Sequence, residues 1–195
     1  NGLILCISYL NIDTGKLSSS VAFYNFGSVG QNEIDHLMSG YNYDDETVTY
    51  VQFMNDSTAF SLGDKQFSIF EGAEKPERTF YVTLEDEVKS VFYNKDYVGL
   101  VYRQTSDEEP YRIDVYNTKG DVVLSKPFSL EYNEILFNRD FVIIYNANEC
   151  VIYDTHGTEK YKGWFKNSIV TMVPESGKTK YLFVSGSRTD EVQLK

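Results

Sequence analysis

Asp114-Val115-Tyr116-Asn117-Thr118-Lys119-Gly120 and Val151-Ile152-Tyr153-Asp154-Thr155-His156-Gly157 follow one pattern. Each is a strand-like run that ends on tyrosine and enters Asn/Asp-Thr-x-Gly. The Asn or Asp side chain opens a type I turn by accepting a bond from the backbone that follows, and Gly supplies the left-handed residue of the closing bulge. Each copy therefore predicts a tight hairpin. Working outward, Ala22-Phe23-Tyr24-Asn25 and Ser68-Ile69-Phe70-Glu71 carry the same strand-end aromatic. These aromatics stand at positions 24, 70, 116 and 153, so the intervals are 46, 46 and 37 residues. Another set of strands repeats as well: Tyr50-Val51-Gln52-Phe53, Lys89-Ser90-Val91-Phe92 and Glu134-Ile135-Leu136-Phe137. A period near 40 with four short strands per repeat is the signature of a β-propeller.

The rest of the chain fits that reading. Tyr and Phe, at 16 and 13 copies, suit the half-buried face of a sheet. Short apolar runs bounded by Asn, Asp, Gly and Ser predict seventeen strands, from Leu3–Tyr9 and Ser19–Tyr24 through to Glu191–Leu194. Asn11-Ile12-Asp13-Thr14-Gly15 predicts a further Asx turn. Only Gln31–Gly40, with Ile34, Leu37 and Met38 at helical spacing, predicts a helical turn. Pro76, Pro110 and Pro174 fall in expected loops, and Pro127 at the end of an outer strand, where no ladder donor is lost. The expected architecture is all-β and propeller-like, a meander of the WD40 or quinoprotein type. It has about three full and two partial four-stranded blades: 1–43 (partial), 44–85, 86–129, 130–166 and 167–195 (partial). Because the two ends duplicate each other's strands, this count predicts a piece of a longer protein with sequence before Asn1. Open strand edges predict self-association.

Charge narrows the partners. Eighteen Lys and Arg against 29 Asp and Glu give a formal net charge of −11. That argues against nucleic acid, which requires a basic face, and against docking on an anionic membrane by charge. No apolar run reaches the roughly 18 residues of a membrane span. Cys6 and Cys150 lie in apolar runs and read as two buried thiols. His36 and His156 have no ligand-spaced His or Cys beside them, so neither a metal nor a cofactor is expected.

The block Ser19-Ser20-Val21-Ala22-Phe23-Tyr24-Asn25-Phe26-Gly27-Ser28-Val29-Gly30-Gln31-Asn32 resembles one in a family of bacterial proteins, mainly of Firmicutes, whose shared domain has no assigned function. Val88-Lys89-Ser90-Val91-Phe92-Tyr93-Asn94 and Val115-Tyr116-Asn117-Thr118-Lys119-Gly120 fit it too, and the resemblance spans nearly the whole chain. It implies a propeller-like extracytoplasmic region behind a membrane-spanning anchor upstream of residue 1. It supplies no catalytic residues. Quinoprotein and WD40 blades share the short strands and the Asp-Thr-x-Gly turn, but quinoprotein blades dock through regular tryptophans and this chain has only Trp164.

Two groups of residues are candidates for ligand contact. Tyr41, Tyr43, Tyr161 and Trp164 form a candidate aromatic platform on which a sugar ring would stack. Asn25, Gly27, Gly30, Gln31 and Asn32 form a candidate loop, polar and rich in glycine, that breaks the blade rhythm. The acidic runs Asp44-Asp45-Glu46 and Asp107-Glu108-Glu109 lack the alternation of a calcium loop and read as solvated charge. No Gly-x-Ser-x-Gly elbow is present. The expected function is a non-enzymatic binding or scaffolding module for a protein or cell-envelope ligand. The alternative is a carbohydrate-binding or glycoside hydrolase-like domain, which would place two carboxylates about 5–9.5 Å apart beside an exposed aromatic.

Overall fold

The computed structural model describes residues 4–13, 16–27, 36–175 and 179–194. Every sheet in it is a sequential antiparallel meander. The first holds three strands, β1 (Ile4–Asp13), β2 (Lys16–Asn25) and β3 (Leu37–Asp44). Three four-stranded sheets follow. They are β4 (Val48–Asn55) to β7 (Glu77–Thr83), β8 (Val88–Tyr93) to β11 (Val122–Phe128), and β12 (Glu134–Asn138) to β15 (Glu159–Trp164). Within them lie β5 (Thr58–Gly63), β6 (Gln66–Glu71), β9 (Tyr97–Arg103), β10 (Tyr111–Asn117), β13 (Phe141–Tyr145) and β14 (Glu149–Asp154). The last sheet holds β16 (Ile169–Pro174), β17 (Lys180–Ser185) and β18 (Thr189–Gln193). The fold is all-β and propeller-like, as the period predicts. Among the described residues no helix is long and apolar enough to cross a membrane.

The repeat aligned in the sequence is a backbone feature. Pairing with the next strand slips between Phe23 and Tyr24, Ile69 and Phe70, Val115 and Tyr116, and Ile152 and Tyr153. The four aromatics thus mark four β-bulges at one position of the repeat, where local twist increases. Both Asx turns form. Asn117 Oδ1 accepts from the N–H groups of Lys119 and Asp121, both at 2.9 Å, and Gly120 has φ +88°. Asp154 Oδ1 accepts from His156 at 3.0 Å and Thr158 at 2.8 Å, and Gly157 has φ +82°. Pro127 lies in β11, an edge strand, opposite Arg112.

Three expectations need correction. Of Gln31–Gly40, His36 is helical and residues 31–35 lie outside the described ones, but Leu37–Gly40 opens β3, held by pairing of Ser18–Tyr24 with Leu37–Asp44. Of the Asn11–Gly15 motif, Asn11-Ile12-Asp13 is the end of β1 rather than the start of the turn, with Asn11 opposite Ser18 and Asp13 opposite Lys16; Thr14 and Gly15 lie outside the described residues. Pro174 closes β16 rather than lying in a loop.

The chain forms two compact units, residues 1–88 with 117–121 and residues 89–116 with 122–195. In the first, Val21, Phe23 and Tyr43 pack on Val48, Ala59 and Phe70. In the second, strand alternation sends neighbouring residues to opposite neighbours. Val142, Ile144, Val151 and Tyr153 pack on the sheet β8–β11, whereas Ile143, Tyr145, Cys150 and Ile152 pack with Met172, Tyr181 and Phe183. A sheet covered on both faces needs continuous apolar runs, which is why β13 reads Phe-Val-Ile-Ile-Tyr.

Candidate functional site

The connection between β13 and β14 is shaped by one asparagine. Asn146 Oδ1 accepts from the N–H groups of Asn148 and Glu149, both at 2.8 Å, and its Nδ2 donates to the Glu131 carbonyl at 2.7 Å. Asn148 Nδ2 donates to the Phe165 carbonyl at 3.1 Å. These bonds bring the β11–β12 connection beside the open end of the β14–β15 hairpin. There Glu149 stands opposite Trp164, Cys150 opposite Gly163 and Val151 opposite Lys162. Alternation puts Lys162 and Trp164 on one face of β15 and Tyr161 on the other.

The Lys162 and Trp164 face borders a groove of about 500 Å³. Phe128, Leu130 and Val151 supply its apolar lining, and Glu131, Glu149 and Lys162 its charges. Trp164 is 66% exposed. A second hollow of about 390 Å³ adjoins it, sharing Glu131, Asn146, Glu149 and Trp164 and adding Asn133, Ala147 and Asn148. The indole therefore stands where an apolar groove meets a polar, acidic one. Cys150 also borders the groove, and burial pushes its thiol up to about 12, so it is not a thiolate nucleophile at neutral pH.

The other predicted residues lie elsewhere. Tyr161 packs against Phe165 and Phe183, with ring centroids 6.4 and 6.3 Å away, so it is part of the core rather than of an exposed platform. Tyr43 is 4% exposed, and its hydroxyl meets Ser61 Oγ at 3.1 Å and Ser68 Oγ at 3.5 Å. Tyr41 is half-buried; its hydroxyl accepts the Arg78 N–H at 2.8 Å and its ring lies 5.1 Å from Phe70. Both tyrosines thus bind β3 to the β4–β7 sheet. Of the platform, only Trp164 presents an open ring face.

In the candidate loop, Asn25 Oδ1 accepts the Gly27 N–H at 2.9 Å, an Asx turn that ends β2. Gly30, Gln31 and Asn32 lie outside the described residues. His36 sits at the same place, with Nδ1 3.1 Å from the Asn25 carbonyl. His156 borders a separate hollow with Tyr97, Asp140 and Lys160. Cys6 and Cys150 are free, the first half-buried and the second buried. Glu46 is buried too, against the solvated reading of its acidic run. Among the described residues no three His, Cys, Asp or Glu side chains are grouped to hold a metal ion.

Sequence reasoning missed Glu131, Asn146 and Glu149. Asn146-Ala147-Asn148 does carry the Asx signal, and the two-residue period pairs Trp164 with Lys162 rather than with Tyr161. What no local pattern shows is that Glu131 comes to the same place.

Sequential four-stranded meanders with an aromatic groove at one edge define a propeller-like, all-β protein. The chain belongs to the family of unknown function DUF5711, whose model matches residues 1–194. No curated protein matches the sequence as a relative. Among solved structures the chain is similar to a crystal structure of the eukaryotic initiation factor. The TM-score is 0.64 at 14% identity, with 97% of this chain and 49% of that one covered. It is also similar to KlHsv2 with loop 6CD replaced by a Gly-Ser linker, at TM-score 0.53 and 10% identity, covering 91% and 58%. A third is BBS1N, solved in complex with ARL6DN, at TM-score 0.50 and 10% identity, covering 100% and 66%. The chain thus spans about half to two thirds of the length of these structures, and at such identities the likeness is one of fold.

Proposed function

We propose that this chain is a non-enzymatic binding module that docks a protein partner of the cell envelope through the Trp164 groove. The observation that carries the reading is the open indole of Trp164 between two hollows, in a chain whose other candidate aromatics are packed. Large exposed aromatics beside an apolar recess act as anchors in protein recognition. BBS1N, a fold neighbour, is solved with a protein bound. We place the module outside the cytoplasm behind an upstream anchor, as the family resemblance implies. A carbohydrate-binding or glycoside hydrolase-like role is the second reading, and the placement of Glu131 and Glu149 around Trp164 favours it.

Retention on bacterial envelope material separates the two readings. The full chain and its Trp164→Ala variant are sedimented with intact and with protease-stripped envelopes across a salt series. The protein reading expects retention that is lost on stripping and falls at least about tenfold in the variant, the loss typical of an anchor aromatic. Retention that survives both stripping and high salt, yet needs Trp164, supports the carbohydrate reading. Retention indifferent to Trp164 overturns both.

A further inference from the structure

Resting on the reading of the groove as a protein-docking site, we propose that its ligand is an extended protein segment carrying a cationic side chain beside an apolar one. The polar groups around Trp164 decide this. Asn146 has already committed both its amide nitrogen and its oxygen, and the Asn148 amide nitrogen donates to Phe165. The charged groups left in the smaller hollow are two carboxylates, Glu131 and Glu149, neither in an ion pair among the described residues, beside the Asn133 amide, while Lys162 lines only the larger hollow. Carboxylates only accept. A sugar hydroxyl array asks for donors as well as acceptors, whereas an ammonium or guanidinium group is all donor and positive.

The indole adds a second attraction for the same ligand. A cation over the face of a tryptophan is drawn by the ring quadrupole, and the two carboxylates that line the same hollow reinforce it. The smaller hollow, which no Lys or Arg lines, takes the cation. The larger one, lined by Phe128, Leu130 and Val151, takes an apolar side chain of the same segment. Successive side chains of an extended segment point to opposite sides, so residues two apart share a side and straddle Trp164. β15 is the outer strand of its sheet, and its free backbone edge suits a segment in that conformation.

Trp164 is the single tryptophan of the chain, so its emission reports on the groove directly. The full chain is titrated with three probes: a capped six-residue peptide of serines with one lysine and one leucine two residues apart, its counterpart with glutamate for lysine, and chitotriose. Only the lysine–leucine peptide is expected to change the emission saturably. Replacing both Glu131→Gln and Glu149→Gln weakens it about tenfold or more, as expected for lost charge-assisted contacts. Glu85→Gln with Glu87→Gln, elsewhere on the chain, leaves it unchanged. If the remote pair weakens binding equally, the attraction is the general one of an acidic chain, and the proposal falls. If the glutamate peptide saturates in its place, or if none of the three changes the emission while envelope retention still depends on Trp164, the ligand class is wrong and the docking groove stands; if chitotriose saturates instead, the carbohydrate reading replaces the protein one. If that retention is independent of Trp164, the docking reading itself fails.

Discussion

Glu46, between β3 and β4, is a buried carboxylate whose Oε1 has no hydrogen-bond partner. Burial raises its pKa, the nearby Asp64 raises it further, and the N–H groups of Gln66 and Lys65 offset this only in part. A carboxyl whose folded pKa lies above its unfolded value binds more protons when folded. Its charged form therefore costs stability at neutral pH, and that cost disappears as pH falls through the folded pKa. Glu46→Gln should then stabilise the chain at pH 7 by about 1–3 kcal/mol, the size of an unsatisfied buried group. The advantage should shrink as pH falls toward the ordinary carboxylate range. Urea denaturation of both proteins at several pH values checks this, and a variant equal to or weaker than the parent at pH 7 refutes it. The sequence hid this residue because Asp44-Asp45-Glu46 has the charge density of a surface loop. Asp45 is indeed exposed, paired with Lys65 at 2.9 Å, while its neighbour is buried against Gly63. Local composition does not register a change of environment between adjacent residues.

At the scale of elements, the hairpins were the most legible part of the fold. Asn117 to Gly120 and Asp154 to Gly157 carry their conformation in their own residues, and so do the bulges at Tyr116 and Tyr153. β3 was illegible because its stability is not its own. Leu37-Met38-Ser39-Gly40-Tyr41-Asn42 has weak alternation, and the strand exists through pairing with β2 and through the Tyr41 and Tyr43 hydroxyls. The two glycine turns also differ in a way that sequence does not show. A Cβ on Gly157 would meet only Leu124 at 3.3 Å, whereas one on Gly120 would land inside the ring of Phe80. Gly157→Ala should cost about 1–2 kcal/mol, the price of a left-handed alanine. Gly120→Ala adds overpacking and should cost about 2–5 kcal/mol in all. Denaturant midpoints of the two variants test the difference. Equal losses would mean that Phe80 moves aside without cost.

For the whole molecule, period and composition revealed the architecture, because a repeat of nearly 40 residues is written four times. The groove was not legible, since it joins Glu131, the Asn146–Glu149 turn and Trp164 from three separate segments. The same architecture leaves an edge at β1, whose end carries Leu10 and Ile12 outward, the latter 75% exposed and opposite Leu17 on β2. β3 pairs with β2 only from Ser18 onward, so this tip of the hairpin stands beyond it. An exposed apolar edge strand is a template for pairing with another chain. Opposing that is the net charge of −11, which keeps copies apart at neutral pH and low salt. Self-association through β1 should therefore strengthen as salt screens the charge, and again as pH falls to about 5 and carboxylates begin to protonate. Ile12→Lys places a charge on the edge and should return the chain to monomer, while Trp164→Ala should leave association unchanged. Sedimentation velocity over a concentration series reads both effects. If Ile12→Lys associates as the parent does, copies meet elsewhere; if the parent stays monomeric in high salt at pH 5, the β1 edge does not pair.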